Sequence, residues 1–211
     1  MRYLASLIKD NIGFILFIFV LFATRSSIAD WYHVPSGSML PTIIEGDRVL
    51  VDKMAYRLDV PFTDIVIMQR NKPQRGDIVT FESSKADNRL IKRVIGVPGD
   101  EIAMVNNQLF INGKAVTYRQ QGDILIEELS DPPHAIQLTK VTSGMDNFAL
   151  VTVPEGHYLV LGDNRNHSAD SRVYGFIPET EITGKATRVI TSLDLDNYYI
   201  PRKDRWFEEI I

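Results

Sequence analysis

The 211-residue chain contains no cysteine, which excludes disulfide bridges, thiolate metal sites and a cysteine nucleophile. It also lacks a basic excess, because 23 Lys and Arg stand against 27 Asp and Glu, a formal net charge of −4. Nucleic-acid binders usually carry a basic excess or stripe, so no nucleic-acid partner is expected. The length suffices for one sizeable core or two small ones and is short for several domains.

A long apolar run is present only near the N-terminus. Residues 12–23 are uncharged and apolar, and Arg2 and Lys9 precede them. By itself the run is too short for a hydrocarbon core of about 30 Å. A helix that starts near Leu4, with the Lys9 ammonium reaching the interface, would be long enough.

Three interpretations of this run stay open. It is a retained membrane anchor, a cleavable secretory signal or a buried core helix. Residues 27–29 (Ser-Ile-Ala) offer a small-x-small cleavage site for the signal interpretation. The first two send the rest of the chain across a membrane, and the basic residues before the run favour a cytoplasmic N-terminus. Arg25 on the other side weakens that bias.

Sustained helical periodicity is missing after residue 30, and short β patterns replace it. Gly-Asp pairs precede apolar, alternating stretches, which is typical of a turn followed by a half-buried strand. The Asn-rich pairs at 106–107 and 112–113 predict the turns of a meander. We therefore expect a mainly β fold: an N-terminal transmembrane helix, then an antiparallel β-sheet catalytic core with an inserted smaller β cap. The Gly-Asp pairs lie at 46–47, 76–77, 99–100 and 122–123.

The composition changes along the chain suggest domain boundaries. Residues 1–29 would form the membrane anchor, residues 30–100 and 156–211 the core, and residues 101–155 the inserted cap. Residues 59–75 predict a less regular loop that carries several apolar side chains.

Two segments combine a serine and a lysine that could act together. In 35–42 (PSGSMLPT) Ser38 lies on a constrained turn, although a simple linker is the alternative; its hydroxyl needs a base to become a nucleophile. In the predicted strand 90–100, Lys92 shares a face with the apolar residues at 90 and 94, while Arg93 faces the other way. Burial among apolar neighbours would lower the pKa of Lys92 towards that of a base, whereas a surface lysine is the alternative.

The third polar segment, 162–172 (GDNRNHSADSR), follows an apolar strand predicted at 157–161. A calcium loop is excluded, because Arg165 and His167 would occupy ligand positions that need oxygen donors. The glycosylation sequon at 166–168 is a weak match. The segment therefore predicts a rigid polar loop.

Together these blocks resemble the type I signal peptidases, the leader peptidases with serine–lysine chemistry, from residue 15 to about 190. The matching blocks, in the family's order, are 35–42, RGDIVTF at 75–81, LIKRVIGVPGD at 90–100, and 162–172. The resemblance implies a membrane-bound serine endopeptidase that cleaves signal peptides from exported preproteins after small residues at −1 and −3.

The resemblance also implies a role for individual residues. Ser38 would be the nucleophile and Lys92 the general base. The Ser38 backbone N–H and the Ser36 hydroxyl would form the oxyanion hole, and Ser168 would orient the lysine. Supporting positions would be Asp163, Asp170, Arg172 and Arg93, with Arg93 pairing to Asp163; shallow substrate pockets would be lined near Tyr32, Val34 and Ile91.

The chain departs from the family pattern at Asn166-His167, where Asp-Asn is usual. In a rival Ser–His–Asp triad His167 would be the one plausible base, because it lies inside the third block, but it is a departure from the family pattern and not a motif residue. Further rivals are a self-cleaving repressor-type protease, a non-catalytic membrane-tethered β module, and a specialised processing peptidase. The other histidines are His33, His134 and His157.

The resemblance implies no metal or organic cofactor. The expected partners are preproteins and the lipid bilayer, and a monomer is the default oligomeric state. The expected location is the cell membrane, single-pass, with the N-terminus cytoplasmic and the catalytic domain on the outer side.

Overall fold

A computed structural model of the chain describes residues 9–63, 65–122, 124–139 and 144–210. Helix α1, Ile12–Ser27, leads directly into the first strand. Within the described ranges no helix is long and apolar enough to cross a membrane. The predicted helix start near Leu4 lies outside them.

Beyond α1 the described chain is built mainly of strands, with one further short helix, α2, Ser171–Tyr174. The prediction of a mainly antiparallel β fold is therefore confirmed. The strands are β1 Ala29–His33, β2 Asp47–Asp52, β3 Arg57–Asp59, β4 Val66–Gln69, β5 Ile78–Ser83, β6 Asn88–Gly96, β7 Glu101–Val105, β8 Gln108–Ile111, β9 Lys114–Ala115, β10 Tyr118–Gln121, β11 Ile124–Glu127, β12 His134–Ile136, β13 Phe148–Thr152, β14 His157–Leu161, β15 Ile177–Pro178, β16 Ile182–Asp194, β17 Ile200–Pro201 and β18 Glu208–Glu209.

The main sheet has the strand order β1-β2-β16-β5-β6-β14-β15, and β17 and β18 also pair with β16. Its neighbouring strands are antiparallel. The central strand β5 is buried on both faces except at Glu82, so it lacks the half-buried alternation that its sequence suggested. Strand β1 lies at one edge of the sheet, directly before the segment that carries Ser38.

The turns of the predicted meander form as expected. Asn106 and Asn107 have φ of 50° and 63°, and Asn112 and Gly113 have φ of 51° and 75°. Two consecutive residues with positive φ form a turn whose twist matches that of the antiparallel strands it connects. Asn106-Asn107 connects β7 to β8, and Asn112-Gly113 connects β8 to β9.

The prediction of an irregular loop over residues 59–75 is wrong in its middle. Strands β3 and β4 pair antiparallel as a hairpin there. All four residues of β4 are exposed. The strand therefore lacks the alternation of buried and exposed side chains from which a strand is predicted.

Residues 101–152 contribute two smaller sheets, β13-β7-β8-β9 and β10-β11-β12. The first shares a hydrophobic cluster with the main sheet, in which Ile102 and Leu109 pack with Ile95 and Leu161. Gly96, at the end of β6, permits this close approach: a Cβ there would lie 2.1 Å from Ile102 Cδ1 and 3.0 Å from Val153 Cγ2. The division into core and inserted cap stays a prediction.

We expect Gly96→Ala to lower the free energy of unfolding by about 1–3 kcal/mol, because the added methyl overpacks this junction. Gly13→Ala is the matched control, since no atom lies within 4 Å of its added Cβ. Chemical denaturation of both variants measures the difference. Equal stability of Gly96→Ala and wild type would contradict the described packing.

Candidate active site

Ser38 lies in a short 3₁₀ turn, Gly37–Met39, that follows β1. Met39 anchors the turn, since its side chain is buried with Val34 and Ile43 in one hydrophobic cluster. Ser36, which precedes the turn, makes no side-chain capping hydrogen bond to it. The position of the Ser38 hydroxyl is thus fixed by the next residue of the turn, Met39, which is buried in the core.

Lys92 reaches this turn from β6. Its Nζ lies 2.6 Å from Ser38 Oγ and donates to the Ile91 carbonyl oxygen at 2.9 Å. Only 2% of the Lys92 surface is exposed. Leu90 and Val94, two residues away on either side, share one hydrophobic cluster, which is separate from that of Met39. This is the arrangement that strand alternation requires.

Burial lowers the pKa of Lys92 to about 8, because a low-dielectric environment disfavours the ammonium. The carboxylates of Asp170 and Asp163 act in the opposite direction, and Arg172 adds to the lowering. In the described chain no carboxylate lies within ion-pair distance of Lys92 Nζ, so burial prevails.

Arg93, the next residue, points to the other face and is also buried. Its Nε and Nη2 donate to the two carboxylate oxygens of Asp163 at 2.8 and 2.7 Å, and Thr42 donates to the same carboxylate at 2.6 Å. Burial alone would raise the pKa of Asp163, but the Arg93 charge and these hydrogen bonds hold it below its usual range. This bidentate pair ties β6 to the loop that follows β14.

A second ion pair shapes the end of the same loop. Arg172 donates to Asp170 at 2.8 and 2.6 Å, and Asp170 is fully buried. The other acceptor contacts of Asp170 are with backbone N–H groups of Gly162, at 3.0 Å, and Arg172. Asp170 therefore closes the loop back onto its start and caps α2.

The loop touches the serine turn through Asn164. Its backbone N–H donates to the Ser38 carbonyl oxygen at 3.2 Å, and its side-chain Nδ2 donates to the Gly37 carbonyl oxygen at 2.9 Å. Together the turn, the strand and the loop border a pocket of about 410 Å³. The lining residues are Ser36, Gly37, Ser38, Leu90, Lys92, Asn164, His167 and Ala169.

Ser168 does not contact the lysine in the way that the resemblance implied. Its side chain is buried, but its Oγ makes no hydrogen bond within the described part of the chain. The Lys92 amine is instead directed to Ser38 and Ile91. Ser168 packs against Gly162, where a Cβ would lie 2.2 Å from its Oγ.

The three residues expected to line substrate pockets do not border this pocket. Val34 is 2% exposed and belongs to the core, and Ile91 packs against the same cluster. Tyr32 is half-buried on β1, with the Arg89 guanidinium 4.1 Å from its ring centre. An aliphatic side chain beside a nucleophile in sequence can pack inward, and the sequence alone does not show it.

The histidines do not supply a base for Ser38. Among the residues described, no histidine forms a hydrogen bond with Ser38 Oγ. His167 is the exposed histidine of the pocket lining, His134 is buried, and His157 contacts the Glu155 carbonyl oxygen at 2.9 Å. His33 is exposed on β1.

Sequence reasoning missed a buried group that supports the loop from β11. Arg165 is fully buried and pairs with Glu127 of β11, which also accepts a hydrogen bond from Tyr118 at 2.7 Å. His134 Nε2 lies 3.1 Å from Glu127. Burial alone would raise the pKa of Glu127, but Arg165 and His134 hold it below its usual range. No local signal marks Glu127, because it is one acidic residue in a polar stretch.

Comparison with known proteins identifies the family to which the chain belongs. A family model described as "Signal peptidase, peptidase S26" matches residues 7–191. Signal peptidase I of Pseudomonas aeruginosa is 32% identical over 204 residues, covering 87% of this chain and 72% of that protein. Signal peptidase IB of Staphylococcus aureus is 34% identical over 178 residues, covering 80% and 81%.

A crystal structure of a signal peptidase I from Enterococcus faecalis has 32% sequence identity and a TM-score of 0.41, covering 55% of this chain and 97% of that chain. The sequence matches identify a peptidase. The chain belongs to the signal peptidase family, peptidase S26, as a type I signal peptidase.

We expect Asp163→Asn to lower the free energy of unfolding by about 3–5 kcal/mol, because it removes the carboxylate that balances the buried Arg93 charge in a bidentate pair. Glu82→Gln is the control: its partner is Arg89, and both side chains are about half exposed, so a change within about 1 kcal/mol is expected. Urea unfolding at neutral pH measures both.

The pH dependence gives a second check. A lowered carboxyl pKa stabilises the fold above the unfolded-state pKa, and this contribution is lost in acid as Asp163 protonates. Wild type and Asp163→Asn should therefore converge in stability at low pH. A constant difference across the acid range would contradict the assignment.

Proposed function

We propose that this chain is a membrane-bound serine endopeptidase that cleaves N-terminal signal peptides from exported preproteins after small residues at −1 and −3. Ser38 is the nucleophile and neutral Lys92 the general base. Membership of the signal peptidase family supports the reaction class and the substrate class.

The observation that carries the mechanism is the contact between Lys92 Nζ and Ser38 Oγ at 2.6 Å. This distance is within hydrogen-bond reach for direct proton transfer. The pKa of Lys92, lowered to about 8 by burial, makes a useful fraction of the amine neutral near physiological pH. The neighbours of Lys92 Nζ are the Ser38 hydroxyl and the Ile91 carbonyl oxygen, so the lone pair of the neutral amine is available to accept the serine proton.

Catalysis then proceeds by acylation of Ser38 followed by deacylation. Neutral Lys92 takes the proton from Ser38, and the alkoxide attacks the scissile carbonyl. The Ser38 N–H and the Ser36 hydroxyl stabilise the oxyanion, and the lysine protonates the leaving amine as the acyl-enzyme forms. Lys92 next removes a proton from water, and the water oxygen attacks the ester carbonyl. The resulting tetrahedral intermediate expels the Ser38 oxygen, which takes the proton back from Lys92 as the product acid is released. Ser168 packs against Gly162 within the loop, and Asp163, Asp170, Arg172 and Arg93 fix the loop beside the lysine.

Substrate would bind in extended form along β1. This edge strand pairs with β2 on one side, so its other side can accept main-chain hydrogen bonds from a peptide. Tyr32 and Ile91 would form the shallow walls for small side chains, and Val34 would shape them from behind. Main-chain recognition suits an enzyme that accepts many preproteins.

The exposed apolar residues support a position at the membrane. Trp31, Phe62 and Ile67 are 42%, 58% and 59% exposed, which excludes core packing as their role. The Phe62 ring lies 6.0 Å from Phe19 of α1, so the hairpin of β3 and β4 continues the apolar surface of the helix. We place the N-terminus in the cytoplasm and the catalytic residues on the outer side.

The test is cleavage of a model preprotein with an Ala-x-Ala site by detergent-solubilised wild type and Lys92→Met. We expect one site-specific cut by wild type and a loss of about 10²–10⁴-fold or more in kcat for Lys92→Met, since general base catalysis contributes that much. Lys114→Met, which removes an exposed lysine on β9, should retain wild-type activity.

Cleavage at wild-type rate by Lys92→Met would overturn the serine–lysine mechanism. Failure of folded wild type to cut the general substrate, together with cutting of a dedicated secretion substrate, would indicate a specialised processing peptidase. Failure on both would favour a non-catalytic module.

A further inference from the structure

The peptide group between Gly37 and Ser38 is held from outside its own turn. Its carbonyl oxygen accepts hydrogen bonds from the Leu40 N–H at 3.2 Å and from Asn164 Nδ2 at 2.9 Å. A carbonyl oxygen has two lone pairs, so these contacts satisfy it completely. Since the carbonyl can only accept, the Asn164 amide must direct its nitrogen to Gly37, and its orientation is fixed.

The same peptide group carries the Ser38 N–H. A trans peptide is planar, and its C=O and N–H point in opposite directions. An atom that fixes the direction of the Gly37 carbonyl therefore also fixes the direction of the Ser38 N–H. The second contact, from the Asn164 N–H to the Ser38 carbonyl oxygen, fixes the following peptide as well.

Asn164 is itself held rigidly. The Gln137 N–H donates to the Asp163 carbonyl oxygen at 2.9 Å, and the Arg165 N–H donates to the Gln137 carbonyl oxygen at 3.0 Å. The neighbouring side chains of Asp163 and Arg165 end in buried ion pairs with Arg93 and Glu127. The position of the amide is thus set by groups on both sides of it.

We propose that Asn164 is a positioning residue for the oxyanion hole: it aims the Ser38 N–H at the oxygen that becomes negatively charged in the transition state. This inference rests on the proposed function and names a residue to which the family resemblance assigned no role. A preorganised donor acts on the transition state more than on the bound substrate. Loss of the Asn164 amide should therefore lower kcat and leave KM nearly unchanged.

The variant for the test is Asn164→Leu, which retains the branched shape, removes the donor and adds no charge near Lys92. Asn71→Leu is the matched control, because Asn71 Nδ2 also donates to a backbone carbonyl, that of Ala55 at 3.1 Å, at an exposed position. We expect kcat to fall at least tenfold in Asn164→Leu, short of the about 10²–10³-fold loss when a donor is removed outright. The pH midpoint of kcat should stay with wild type, because the lysine is untouched.

Two inhibitors separate positioning from folding. A peptide aldehyde forms a tetrahedral adduct with a serine nucleophile. The reduced-amide analogue of the same peptide lacks the carbonyl at the scissile position and forms no adduct. For Asn164→Leu we expect the aldehyde to bind at least tenfold more weakly than to wild type, and the reduced amide to bind within twofold. The reduced amide also reports that the variant is folded.

Unchanged kcat, or equal weakening of both inhibitors, would overturn the positioning role and leave the proposed function standing. A wild type that cuts no preprotein and forms no aldehyde adduct would instead overturn the proposed function, and this inference with it.

Discussion

A lysine side chain buried against a serine hydroxyl creates the constraint on which the site depends. An ammonium that leaves water must find a carboxylate or lose its proton, because an unpaired buried charge is strongly unfavourable. Lys92 meets a hydroxyl and a carbonyl oxygen at its Nζ. The fold thereby shifts the protonation equilibrium towards the neutral amine, and the surrounding strands must supply enough packing to offset the cost of burying the side chain.

The next residue, Arg93, retains its charge in the protein interior. Arg93 is equally buried, but it meets the Asp163 carboxylate in a bidentate pair and remains charged. Strand alternation sends the two cations to opposite faces of β6. One face holds a charge that fastens the loop after β14, and the other holds a base next to Ser38. Two adjacent residues of the same formal charge thus acquire different chemistry from their surroundings alone.

The loop of residues 162–172 fixes the relative positions of β6 and the serine turn. Asp163 joins it to β6, Asp170 closes it onto Gly162, and Asn164 joins it to the serine turn. Arg165 extends the support to β11 through Glu127. The loop is therefore more than a polar surface segment: the four consecutive side chains of Asp163, Asn164, Arg165 and Asn166 are buried and paired with groups from distant parts of the chain.

Local patterns explain which features could be predicted from sequence. The β14 strand is a short apolar run, and the turns at 106–107 and 112–113 need residues that tolerate positive φ, so both were found. Strand β4 has no such pattern because it is exposed throughout, and the inward packing of Val34 is not visible in sequence because inward and outward aliphatic side chains look alike there. The partners Glu127 and Arg165 lie 38 positions apart, and no local pattern connects them.

The most direct test of this account is an NMR titration of the Lys92 side-chain amine in wild-type protein with ¹⁵N-labelled lysine, with Lys92→Met identifying its resonance. The account predicts a midpoint near pH 8, as burial dictates. A midpoint near the ordinary lysine value of 10.5 would contradict it, because Lys92 would then be almost wholly protonated at neutral pH and unable to act as the base.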